Sequence, residues 1–138
     1  MILLGRKKKN EFILFQGREA FRKSALHALN GIEYAVNHER NIKIQILFGI
    51  MACILGFLLH ISIIEWAILV LVIAMVLALE LINTAIERTV DLVTTDYRDL
   101  AKAAKDTAAG AVLVMSLFSV IIGIIIFLPK IMELIFNR

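Results

Sequence analysis

From residue 44 onward the chain alternates long apolar runs with short polar ones. Ile44–Ile64 runs 21 residues without a Lys, Arg, Asp or Glu, Trp66–Ile86 another 21 broken only by Glu80, and Thr107–Leu128 a further 22 that stop at Pro129. A helix that crosses a bilayer needs about 20 apolar residues. The pattern therefore predicts three spanning helices, over 42–64, 66–87 and 105–128. Ahead of them the period changes. Phe21, Ala25, Leu29, Ile32 and Val36 recur at helical spacing, with Arg18, Arg22, Lys23, Glu33 and Asn37 elsewhere on the wheel. That spacing predicts an amphipathic helix over 18–38 lying on the membrane surface. The first apolar run begins too far along, behind charged sequence, for a cleaved signal peptide. Residues 1–17 differ again. "RKKKN" is a solvated basic run, and "ILFQG" looks like part of a viral protease recognition site of the sort an expression tag leaves behind. They are set aside as a basic, tag-derived or disordered tail, and 18–138 is read as one membrane domain.

Composition agrees with an all-α integral membrane protein. The chain is 60% hydrophobic with a mean hydropathy of +0.85, far from the average of soluble domains. Cys53 is the single cysteine, so no disulfide can form within the chain, and it reads as a small packed side chain. Of the 15 Lys and Arg, 13 precede the first span or lie between the second and third. By the positive-inside rule the N-terminus and the Glu87–Asp106 loop face the cytoplasm, and the C-terminus lies outside. The basic residues thus sort by topology, and no nucleic-acid partner is expected.

The chemistry concentrates in the second span. If Trp66 marks the outer interface, Glu80 lies about 21 Å further along the helix and Glu87 about 31 Å. The hydrocarbon core is roughly 30 Å thick, which leaves Glu80 inside the inner leaflet and Glu87 at its boundary. Turning the helix by about 100° per residue places Glu80, Asn83, Glu87 and Asp91 at about 0°, 300°, 340° and 20°, one face about 80° wide. A charge at the bilayer centre costs roughly 2.5–3.5 kcal/mol, so an intramembrane glutamate is a functional candidate. The bland alternative is a protonated or hydrogen-bonded glutamate that joins helices. It weakens once a second carboxylate shares the stripe, since the two repel unless a cation such as a divalent metal sits between them. Glu39, where the amphipathic helix meets the first span, and Lys105 with Asp106, just before the third, lie at the same level. The small residues around them would let helices approach closely. Carboxylates, an amide and a lysine at the inner boundary suit phosphoryl transfer to a lipid hydroxyl. No Walker loop, kinase glycine loop or GxGxxG turn is present.

The stretch "ALELINTAIERTVDLVTTDYRDLAKAAKDTAAGAVL", Ala78–Leu113, strongly resembles the prokaryotic diacylglycerol kinase family. The family carries an E-x-x-N-(S/T)-A-I-E run followed by A-K-D, matched here by Glu80, Asn83, Thr84, Ala85, Ile86 and Glu87, then Ala104, Lys105 and Asp106. "ALNGIEYAVNHERN" resembles its surface-helix segment, and the wording of both stretches is closer to the undecaprenol kinase branch. The resemblance implies a lipid kinase that moves the γ-phosphate of ATP, with Mg2+, to a lipid alcohol, undecaprenol in that branch and diacylglycerol in the other. It implies Glu80 as the catalytic base, and Glu39 and Glu87 as ligands of the divalent ion, with Asn83 in the same site. Asp96, Tyr97, Arg98, Lys105 and Asp106 match nucleotide-contacting positions, Arg98 loosely, and His27 falls where an aromatic residue often meets the nucleotide. It further implies a homotrimer in the bacterial inner membrane, with active sites shared between neighbours.

A small transporter or channel subunit, its cation path lined by Glu80 and Glu87, is the rival from another class. All the polar candidates lie in the cytoplasmic third, however, and a path across the membrane needs partners further out.

Overall fold

The computed structural model describes residues 2–136, with side chains from Arg18 onward. It is all helical: α1 (Ile2–His38), α2 (Arg40–Leu58), α3 (Ile63–Val93) and α4 (Asp99–Phe136). The chain divides into two compact units, Met1–His38 and Glu39–Arg138. In the first, the helix expected over 18–38 is the latter part of α1, and its Phe21, Leu29 and Ile32 are exposed. Tyr34 and His38, one turn apart, stack with ring centroids 4.1 Å apart. The separate tail expected at 1–17 lies outside the residues whose side chains are described.

In the second unit α3 packs on both α2 and α4, and α2 and α4 touch. All three are long and apolar enough to cross a membrane, which makes the chain an integral membrane protein. Their limits differ from the expected spans for local reasons. The first ends at Leu58, where backbone N–H groups of His60 and Ile61 close back on Phe57 and Gly56 carbonyls, the two bonds of a Schellman cap. His60 supplies the left-handed residue that such a cap needs, with φ 48°. Ser62 then caps α3 by accepting from the Glu65 N–H, while the Glu65 side chain accepts from the Ser62 N–H, a reciprocal capping box. The expected Glu87–Asp106 loop shrinks to five residues, 94–98, because 87–93 and 99–106 contain no Gly or Pro to stop either helix. Pro129 does not end α4, which continues to Phe136. Ile131 beyond it packs on the core and Lys130 reaches Glu65 at 3.4 Å, so the turn after the proline is held by side-chain contacts.

The core of this unit sits at the α2–α3 turn. Ile61, Leu69, Ile126 and Phe127 are buried there, with Leu55, Trp66 and Ile73 packed against them. Gly56 makes the packing possible: a Cβ on it would lie 3.0 Å from Ile61 Cδ1 and 3.2 Å from the Trp66 ring. Trp66 also tilts against Phe57 at 4.7 Å. Beyond Glu65, the acidic and amide residues of α3 lie in its second half, from Glu80 onward.

Candidate functional site

Along α3 the buried positions are Leu69, Val72, Val76, Glu80, Asn83 and Thr84. Their spacing of three and four is the helical period, so one stripe faces the neighbouring helices throughout. It is apolar for its first two turns and polar after Val76. Glu80 is 2% exposed. Asn83 is buried beside it, Glu87 is half-buried and Asp91 is exposed, so the predicted face exists and opens progressively toward one end.

Each carboxylate on that stripe has a different partner. Glu80 Oε2 accepts from Gln45 Nε2 of α2 at 3.0 Å, and Thr84 Oγ1 donates to the Glu80 carbonyl at 3.0 Å. Glu87 Oε1 accepts from Asn83 Nδ2 at 3.0 Å. Asp91 pairs with Lys105 of α4. Glu39, the N-cap residue of α2, accepts from Arg88 Nη2 of α3 at 2.7 Å. Two ion pairs thus tie the start of α2 and the start of α4 to the end of α3. Asn83 Oδ1 and Gln45 Oε1 are buried and have no hydrogen-bond partner among the described residues. A buried amide oxygen left open is uncommon in a finished structure.

Two cavities adjoin this cluster. Asp96, Tyr97, Arg98, Lys105 and Asp106, all expected at the nucleotide, line one of about 400 Å³ at the α3–α4 connection. Asp91 and Lys102 line it too; sequence reasoning left Lys102 unassigned, although its place one turn before Asp106, to which it is paired, was legible. Lys105 and Asp106 are therefore not partnered with each other. Nor do they face a crowded interior, since adjacent helical side chains diverge by about 100° and Asp106 is 60% exposed. The second, about 500 Å³, runs between α3 and α4, with Asn83 on one wall and Ala103, Ala104, Thr107 and Ala108 on the other. The small residues of α4 leave a cleft there within the chain; a Cβ on Gly110 would meet nothing. His27 stands on α1, exposed, and belongs to the other compact unit. Among the described residues no three metal-ligating side chains converge.

The model of the prokaryotic diacylglycerol kinase family matches residues 26–127. The chain belongs to that family. As a prokaryotic diacylglycerol kinase family member it is an enzyme, a lipid kinase that takes its phosphate from a donor. It is 52% identical over 110 residues to the undecaprenol kinase of Bacillus subtilis (strain 168), an alignment covering 80% of this chain and 89% of that protein. It is 42% identical over 109 residues to a diacylglycerol kinase of Synechocystis sp. (strain ATCC 27184 / PCC 6803 / Kazusa), covering 78% of this chain and 62% of the relative. With a diacylglycerol kinase of Helicobacter pylori (strain J99 / ATCC 700824) it shares 29% over 103 residues, 75% of this chain and 80% of that one. The matched residues of this kinase family member include α2, α3 and most of α4, and so every polar group of the cluster described above.

Proposed function

We propose that the chain is an undecaprenol kinase, moving the γ-phosphate of ATP to the hydroxyl of a polyprenyl alcohol at the inner surface of the bacterial plasma membrane. The observation that carries it is the state of Glu80. It is 2% exposed, and its carboxylate meets a neutral amide, Gln45, not a cation. One carboxylate oxygen is thus held by a neutral donor, and the other has no partner named among the described residues. In the step, Glu80 takes the proton as the O–H bond of the alcohol breaks. The freed oxygen bonds to the γ-phosphorus, and the bond from that phosphorus to the β-bridging oxygen breaks, releasing ADP. The substrate must be a membrane alcohol, because Glu80 lies two turns deeper than Glu87 on a helix whose next buried residues are Val76, Val72 and Leu69.

The remaining residues divide the work by chemistry. Asp96, Tyr97, Arg98, Lys105 and Asp106 share one cavity, whose lysine and arginine suit phosphates; for His27 the family resemblance alone suggests a nucleotide-binding role. Glu39, Glu87 and the open Asn83 Oδ1 offer only hard oxygens, the donor set magnesium prefers. They would hold it, with phosphate oxygens and water completing the shell. Bound magnesium supplies positive charge that offsets the charge of the phosphates. Arg88 pairs with Glu39, so the charge of that carboxylate is balanced.

The higher identity to the Bacillus undecaprenol kinase than to the diacylglycerol kinases favours undecaprenol. Placement of the N-terminus and the 94–98 connection in the cytoplasm follows the lysine and arginine count, and the exposed apolar face of α1 suits a helix resting on the membrane. A channel is disfavoured by the apolar stripe from Leu69 to Val76, which offers an ion no ligand. The test is to incubate the detergent-purified protein with γ-labelled ATP, magnesium, and either undecaprenol or diacylglycerol. Label is expected in undecaprenyl phosphate; label entering diacylglycerol faster would assign the other branch, and label entering neither would remove the kinase reading of Glu80.

A further inference from the structure

We propose that Gln45 is a positioning residue for the phosphoryl transfer, acting through Glu80 and touching neither lipid nor nucleotide. The inference rests on Glu80 being the base proposed above. Gln45 sits on α2, and its Nε2 crosses to Glu80 Oε2 on α3 at 3.0 Å. A glutamate has three side-chain torsions and, left alone, samples several rotamers. A hydrogen bond from a neighbouring helix selects one of them, and a base must be held to within a fraction of an ångström to work well. With Oε2 engaged, Oε1 is the oxygen left to meet a hydroxyl proton.

Two features argue that this contact serves chemistry and not merely helix packing. First, Gln45 Oε1 is buried without a partner among the described residues. An unpaired buried acceptor lowers stability, a cost that this amide carries while it holds Glu80. Second, Gln45 lines, with Phe48, Gly49, Val72 and Val76, an apolar groove of about 430 Å³ among α2, α3 and α4. Glu80 does not line that groove, so the amide stands between the mostly apolar wall and the carboxylate it holds. The neutrality of Gln45 matters as well. A lysine there would form an ion pair with Glu80, whereas the amide holds it by one neutral hydrogen bond.

The experiment is a double-mutant cycle on the full-length protein in detergent, comparing wild type, Gln45→Leu, Glu80→Gln and the double variant. Loss of one hydrogen bond to a charged group should lower kcat about tenfold in Gln45→Leu, with KM for ATP and lipid within about twofold. The solvent deuterium effect on kcat should grow, because proton removal becomes slower. On the Glu80→Gln background, adding Gln45→Leu should cost less than about twofold, since there is no base left to orient. Should the leucine variant fold poorly, Gln45→Met keeps the side chain's length and is read in the same cycle. Full kcat in Gln45→Leu, or an equal loss on both backgrounds, would overturn the inference while leaving Glu80 as base. Full activity in Glu80→Gln would instead remove the base and the inference with it.

Discussion

At the scale of single residues, the site is a set of acidic groups distinguished by what each one touches. Glu80 has an amide, Glu87 an amide, Glu39 a guanidinium and Asp91 an ammonium. Replacing Glu80 with Gln preserves shape and removes the proposed base, so kcat should fall by roughly 10²–10⁴-fold while ATP affinity, read by equilibrium binding, stays within about twofold; unchanged turnover would exclude the role. Replacing Glu39 or Glu87 with Gln should instead raise the magnesium concentration for half-maximal rate by at least about tenfold, and an unmoved titration curve would count against ligation. Glu80 was legible in the sequence because a charge inside an apolar run is costly, and spacing put Glu87 and Asp91 on its face. Gln45 was not. A single glutamine near the start of an apolar span reads as an ordinary interfacial residue, and nothing in spacing alone connects it with a carboxylate 35 positions away. The Arg88–Glu39 pair was hidden for the same reason: it joins residues 49 apart.

At the scale of elements, the helices were legible and their ends less so. The three apolar runs announced three helices, yet the turn between α2 and α3 is built by backbone geometry that composition does not carry. Gly56, His60, Ile61 and Ser62 each have one task in it. Ser62→Ala removes a cap and should cost about 1 kcal/mol, seen as a lower melting temperature in detergent; an equal temperature would mean the box adds nothing. Gly56→Val should lower it further, because a Cβ already stands 3.0 Å from Ile61, whereas a tolerated valine would show that the α2–α3 turn can shift at no cost. Pro129 misled for a physical reason. Proline removes one helical hydrogen bond and strains the turn before it, but side-chain contacts on the following turn can outweigh that, as Lys130 and Ile131 do here.

At the scale of the whole molecule, one chain does not bury its own apolar surface. In the most apolar windows of α2, α3 and α4 only 17%, 22% and 11% of residues are buried, so lipid or further copies must cover the rest. The homotrimer proposed from family resemblance would cover part of it and could bring a neighbour's groups to the clefts that α3 and α4 leave open. Native mass spectrometry from lipid nanodiscs should show three chains per particle, and a lone chain with full kinase activity would rule out shared sites. The burial of Glu80 has one more consequence. Water is the commonest competitor for an activated phosphate, and a base at Glu80, 2% exposed, would have little of it to deprotonate. Without lipid the enzyme should therefore idle, sparing the cell's nucleotide pool from wasteful hydrolysis.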